Sequence, residues 1–105
     1  MAQIIWTEPA LIDLNEIAEY IALDRPSAAR KLVKDVFQSV KRLKQFPKSG
    51  KCSPELQNTE CREVIVGPCR IFYRIDKNKV YILYGMRSER KLRLYILENR
   101  TSESS

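Results

Sequence analysis

The stretch CRIFYRIDKNKVYILYGM, Cys69 to Met86, decides the fold. Two β-prone runs, CRIFYRI (69–75) and VYILYGM (80–86), flank the polar DKNK, and their aromatic and branched side chains suit a pleated, half-buried surface. With Lys77 and Asn78 as a two-residue loop, Asp76 pairs with Lys79 and the register follows: Ile75 opposite Val80, Tyr73 opposite Ile82, Ile71 opposite Tyr84. These residues form one apolar face. Because successive side chains alternate, the other face carries Arg70, Phe72 and Arg74 beside Tyr81, Leu83, Gly85 and Arg87, with Gly85 leaving room next to Arg70.

A third β-prone run, CREVIV (61–66), precedes this hairpin across Gly67-Pro68. The length of that turn sets the side of Arg62. An even loop puts Glu63 and Ile65 on the face of Arg70, an odd loop puts Arg62 there, and the sequence leaves both open.

Upstream, QIIW (3–6) is a short β-prone run, and TEPA then signals a helix start: Thr7 as N-cap, Glu8 at the positive end of the dipole and Pro9 in the first turn. Leu11, Leu14, Ala18 and Ile21, with Ile17 beside them, recur at helical spacing and predict an amphipathic helix to about Leu23. Pro26 breaks it and opens a second helix with apolar Ala29, Leu32, Val33, Val36, Phe37, Val40 and Leu43, which ends at Pro47 and Gly50. The two make an antiparallel helix hairpin. Residues 48–59 read as a long polar loop with one turn at Pro54–Gln57, and a short helix is expected from Ser88 through Leu97.

The class is therefore α+β: β-α-α-β-β-β, with an N-terminal helix hairpin on one face of an antiparallel sheet. A chain of 105 residues suits one core, so a single domain is expected over residues 1–98 with a flexible tail at 99–105. The opening MAQIIWTEP has no basic leader or long apolar run, and no segment is long enough to cross a bilayer, so the expected location is the cytoplasm, away from membranes. Cys52, Cys61 and Cys69 match neither a disulfide framework nor a CxxC pair, and there is no histidine; free thiols, no metal and no cofactor are expected. The net charge of +6 favours polyanionic partners.

Taken in order, EPALIDLNEIAEYIA, RLKQFPKSG, REV, CRIFYRI and VYILYGMRSERKL resemble the RelE/ParE superfamily of toxins from bacterial type II toxin–antitoxin pairs, over about residues 3–97. The resemblance implies the same β-α-α-β-β-β domain and a tight complex with an acidic antitoxin that masks the basic surface. It also implies one of two targets: DNA gyrase for ParE-like members, or mRNA on the ribosome for RelE-like nucleases. The long, regular helix pair resembles the ParE branch.

Arg70 matches the arginine that nuclease members place on the scissile phosphate; Arg87 or Arg90 matches a second, and Tyr95 a late tyrosine. Arginines with interleaved aromatics suit phosphate contact and base stacking, so Arg70, Arg87 and Arg90 are expected to converge at one strand end on an open sheet face, and Arg70→Ala to spare the fold. Lys48, Lys51, Arg62, Phe72, Arg74 and Tyr81 complete the expected target-binding surface. Cleavage by 2′-hydroxyl attack also needs proton transfer, which arginine serves poorly, leaving Glu63, Lys51 or Tyr95 to supply it. Three readings stand: a toxin poisoning gyrase and replication, a metal-independent endonuclease acting on mRNA or nicking DNA, and a non-toxic nucleic-acid-binding module.

Overall fold

The computed structural model describes residues 1–103. Helix α1 (Glu8–Ala22) starts with Pro9 in its first turn, where the missing N–H and fixed φ cost nothing. Thr7 holds the N-cap position, but its hydroxyl donates to the Ile82 carbonyl at 2.7 Å, so it ties the helix start to a strand instead of capping it. Ala10, Leu14 and Ile17 face the core, while Leu11, expected inside, is exposed together with Ile12.

Pro26 opens helix α2 (Pro26–Lys41), which buries Ala29, Leu32, Val36 and Val40; a 3-10 turn at Arg42–Lys44 then buries Leu43. Phe37 lies toward solvent and tilts against Trp6, ring centres 4.8 Å apart. The predicted turn at Pro54 is a 3-10 turn, Pro54–Leu56, whose Leu56 is buried.

Strands β1 (Gln3–Trp6), β2 (Cys61–Val66), β3 (Cys69–Asp76) and β4 (Lys79–Arg87) lie in the order β1-β4-β3-β2. β2, β3 and β4 form the expected antiparallel meander, but β1 joins the far side of β4 in parallel, so the sheet is mixed. Three meander strands give β4 the direction of β2. The long loop before Cys61 lets β2 start in the direction of β1, so the edge pairing comes out parallel.

The register holds for Asp76–Lys79, Ile75–Val80 and Tyr73–Ile82 and then slips, because β4 inserts Leu83 as a bulge and Phe72 pairs with Tyr84. One inserted residue reverses every later side chain. Ile71 now faces Gly85, and Arg70 faces Met86 rather than Gly85. The Gly67-Pro68 turn is the even one, Val66 opposite Cys69, with Gly67 at φ +53°, so Glu63 shares the side of Phe72 and Arg62 turns the other way.

The helix pair covers one face, where Ile71, Tyr73, Val80 and Ile82 meet Leu14, Leu32, Val36 and Val40. The opposite face, expected open, is covered as well. Helix α3 (Leu94–Glu103) and the segment before it bring Leu92 and Leu97 onto Phe72, Leu83, Tyr84 and Met86, making a second core. α3 starts later than expected and runs through residues 99–103, which the sequence assigned to the tail; residues 104 and 105 lie outside the described residues.

Candidate functional site

Arg70 sits at the rim of the second core with its guanidinium over the Phe72 ring, 5.0 Å from the centroid. It donates to Glu63 through Nη2 (2.6 Å) and Nε (3.3 Å), and Nη2 also reaches Glu55 at 2.8 Å. Glu63 is 3% exposed and accepts a third bond from the Ser53 hydroxyl at 3.2 Å. These hydrogen bonds, Glu63's above all, push the Arg70 pKa above its already high ordinary value, against the opposing effect of burial. Two carboxylates therefore occupy the fork expected to grip a phosphate. What Arg70 does hold is the long loop, pinned to β2 and β3 through Glu55 and Ser53.

Arg87 does not join it. The bulge turns Arg87 toward the helix-hairpin face, where it lies over the Tyr20 ring of α1 at 3.8 Å and pairs with Glu89 at 3.0 Å. Arg70 and Arg87 thus work on opposite faces of the sheet. Arg74 is also lost as a surface group: it is 5% exposed, stacked over Tyr81 at 4.8 Å and 3.9 Å from Asp76. Phe72 is fully buried and offers no stacking platform.

Arg62 serves the loop. Its Nη1 donates to the carbonyls of Lys48 and Gly50, both at 3.0 Å, while the Tyr73 hydroxyl donates to Pro47 O (2.6 Å) and accepts from Gly50 N–H (2.9 Å). Lys48 and Lys51 are exposed on this pinned segment, and the Lys51 backbone pairs with Glu63 along the edge of β2. Tyr95 projects from α3 and is 67% exposed, so it takes no part in the Arg70 network.

A different concave site forms where β4 outruns β1. Past Ile82 β1 no longer lies alongside β4, and on that open edge side chains satisfy its backbone: Asp13 of α1 accepts from Gly85 N–H (3.0 Å), and Arg100 of α3 donates to Leu83 O (3.1 Å). Asp13 and Arg100 pair with each other at 2.5 Å, and Arg100 lies over the Tyr84 ring at 4.7 Å. The result is a groove of about 560 Å³ between α1 and α3, walled by Ile12, Glu16 and Tyr20 on one side and Ile96 on the other, with Arg90 and Arg93 at its mouth.

Of the catalytic and target-binding residues expected from sequence, only Arg87 and Arg90 line this groove. Asp13, Tyr20, Arg93 and Arg100 were missed. Ile12 and Tyr20, apolar and aromatic groups on the polar side of α1, were a readable signal. The Asp13–Arg100 pair, 87 residues apart, had none.

A helix hairpin over a β1-β4-β3-β2 sheet, closed by a C-terminal helix, defines an α+β toxin of the RelE/ParE superfamily. The chain matches the family model "ParE toxin of type II toxin-antitoxin system, parDE" over residues 4–92, and it belongs to that family. Toxin RelE2 of Caulobacter vibrioides is 33% identical over 84 residues, covering 79% of this chain and 91% of the relative. A solved structure of the chromosomal ParDE TA system from P. aeruginosa superposes with TM-score 0.72 at 26% identity, over 85% of this chain and 98% of that one. The protein is accordingly the toxin of a type II pair, and a cognate antitoxin is its partner. Among the described residues no helix is long and apolar enough to cross a membrane.

Proposed function

We propose that this toxin acts in the ParE-like mode, arresting growth by poisoning DNA gyrase and replication through its basic surface and C-terminal segment, and that the antitoxin neutralising it is acidic. The observation that carries this reading is the separation of Arg70 from Arg87. A nuclease needs its phosphate-binding arginines on one scissile group; here they lie on opposite faces, and Arg70 is already bound by Glu63 and Glu55. Glu63 is tied to Arg70 and Ser53, so proton transfer by it would require breaking the network that holds the long loop. The family match to ParE toxins agrees with this mode.

The test combines purified toxin with supercoiled plasmid, with and without gyrase, and with mRNA, with and without ribosomes. Gyrase-dependent cleavage complexes or lost supercoiling, with mRNA intact, is the expected result. Cleavage of either nucleic acid by the toxin alone would overturn the reading. The second reading, mRNA cleavage, draws on the relative named RelE2, and ribosome-dependent cleavage would establish it.

A further inference from the structure

From the solvent-facing flank of α2 we infer a docking surface for the phosphate backbone of duplex DNA, made by Arg30, Lys34, Lys41 and Lys44. The choice of DNA rests on the ParE-like reading; the surface itself rests on the helix. Residues 30, 34, 37, 41 and 44 follow at alternating intervals of four and three, so along α2 and the 3-10 turn that prolongs it they fall on one line. Phe37 stands in the middle of that line, and every other member is a cation.

Charge is divided unevenly over the helix hairpin. α1 carries Glu8, Asp13, Glu16 and Glu19 and no cation. α2 and its 3-10 turn carry six cations and one carboxylate, Asp35, which pairs with Lys31 at 2.8 Å. Asp35 and Arg42 lie on the flank toward β2, where they line a hollow with Ile65, and Arg42 donates to the Ser39 hydroxyl at 3.3 Å. The cations of the other flank are unspent. Arg30, Lys34 and Lys41 are exposed, Lys44 is half-buried, and among the described residues none of the four makes a side-chain hydrogen bond or ion pair.

The helix beneath them is held in place. Phe37 tilts against Trp6 of β1 with ring centres 4.8 Å apart, and the Lys44 carbonyl accepts from Ala2 N–H at 2.8 Å. Next to Ala2, Gln3 N–H donates to Asn78 O, which brings the hairpin of Lys77 and Lys79 to the same corner and extends the positive charge past Lys44. From Arg30 to Lys41 the line runs about 17 Å at 1.5 Å per residue, the span of about five phosphates of one strand at 3.4 Å per step. Lysines on long stems meet such phosphates as point charges without a fixed geometry. An acidic peptide is a poorer fit, because tight peptide sites set apolar anchors in pockets, and the one ring on this line already leans on Trp6.

The experiment titrates full-length toxin into a fluorescein-labelled 20-base-pair DNA duplex and reads anisotropy across a salt series, with no gyrase present. Lys34→Glu/Lys41→Glu is expected to weaken binding about tenfold or more, and Lys34→Gln/Lys41→Gln to flatten the plot of log affinity against log salt by about two. Arg90→Glu/Arg93→Glu makes the same change in net charge away from α2 and should stay within about threefold of wild type. Equal losses in both charge-reversed variants would overturn the inference, since net charge alone would then account for binding. Wild-type affinity in the α2 variants would overturn it as well, as would a tighter complex with an RNA duplex of the same length. Loss of antitoxin affinity with duplex affinity intact would make the line a protein contact and sink the proposal too. The substituted side chains lie outside the core, and if the charge reversal unfolds, the glutamine variant carries the test. Because gyrase is absent, this titration can fail while gyrase poisoning stands, and can succeed if gyrase is spared.

Discussion

Asp13 and Arg100 meet at 2.5 Å across 87 residues of sequence, and that one pair closes the gap left where β1 ends beside β4. Both side chains are mostly buried, at 14% and 20% exposed. Arg100→Ala leaves Asp13 without its cation and Leu83 O without a donor. The expected cost is about 3 kcal/mol, because removing one partner strands the other. Urea unfolding measures it, and hydrogen exchange should show α3 losing protection first; an unchanged midpoint would contradict the role given to this pair.

Arg70→Ala, which sequence reasoning expected to leave the fold intact, is expected to destabilise it by about 3–5 kcal/mol, since Glu63 would remain buried without its cation. Replacing both partners, Arg70→Met with Glu63→Leu, should recover most of that loss. A double variant no more stable than Arg70→Ala would mean that the loop contacts of Glu55 and Ser53, rather than the buried pair, carry the energy.

Gly50 lies against the Tyr73 ring, and an added Cβ would collide with the phenol oxygen. Gly50→Ala must displace Tyr73 from the Pro47 carbonyl or lift the loop, at a cost of about 1–3 kcal/mol. Exchange of the amides in residues 48–52 should quicken in this variant. Normal protection with normal stability would show that the loop relaxes freely.

Burial raises the Cys69 thiol to about 11 from 9.0, Glu89 adding to the effect and Arg87 opposing it, and burial likewise raises Cys61 and Tyr73. Each group is held neutral in the fold with its pKa raised, so the stability it contributes is complete below its unfolded pKa and is lost as pH climbs through the folded value. For Cys69 that window is pH 9 to about 11, and the gap corresponds to a few kcal/mol at most. Thermal unfolding should fall across this range, less steeply for Cys69→Ala. At neutral pH a thiol reagent should modify the exposed Cys52 quickly and the other two only after unfolding.

Helix boundaries and strand order in the meander were legible because they rest on local signals: Pro9, Pro26, the Gly67-Pro68 and Lys77-Asn78 turns, and apolar periodicity. Side-chain direction at the end of β4 was not. A single inserted residue, Leu83, reverses Tyr84, Gly85, Met86 and Arg87, and alternation counted from the turn carries no sign of it. The same reversal broke the expected convergence of the arginines, and the covering of the second face by Leu92 and Leu97 turned Phe72 and Arg74 inward. Pairings such as Arg70–Glu63, seven residues apart across a turn, were within reach of the sequence once the even loop was chosen.

The parallel seam between β1 and β4 also sets an order of events during synthesis. Residues 3–6 leave the ribosome long before their partners, residues 79–82, and α3, which seals the second core, comes later still. A nascent chain is thus an unfinished sheet until β4 has been made, and a chain stopped at Asn78 is expected to show no cooperative unfolding transition. The harm this protein does to its host cannot begin on a half-made molecule, and the interval in which the antitoxin must find a finished target opens only once α3 has emerged.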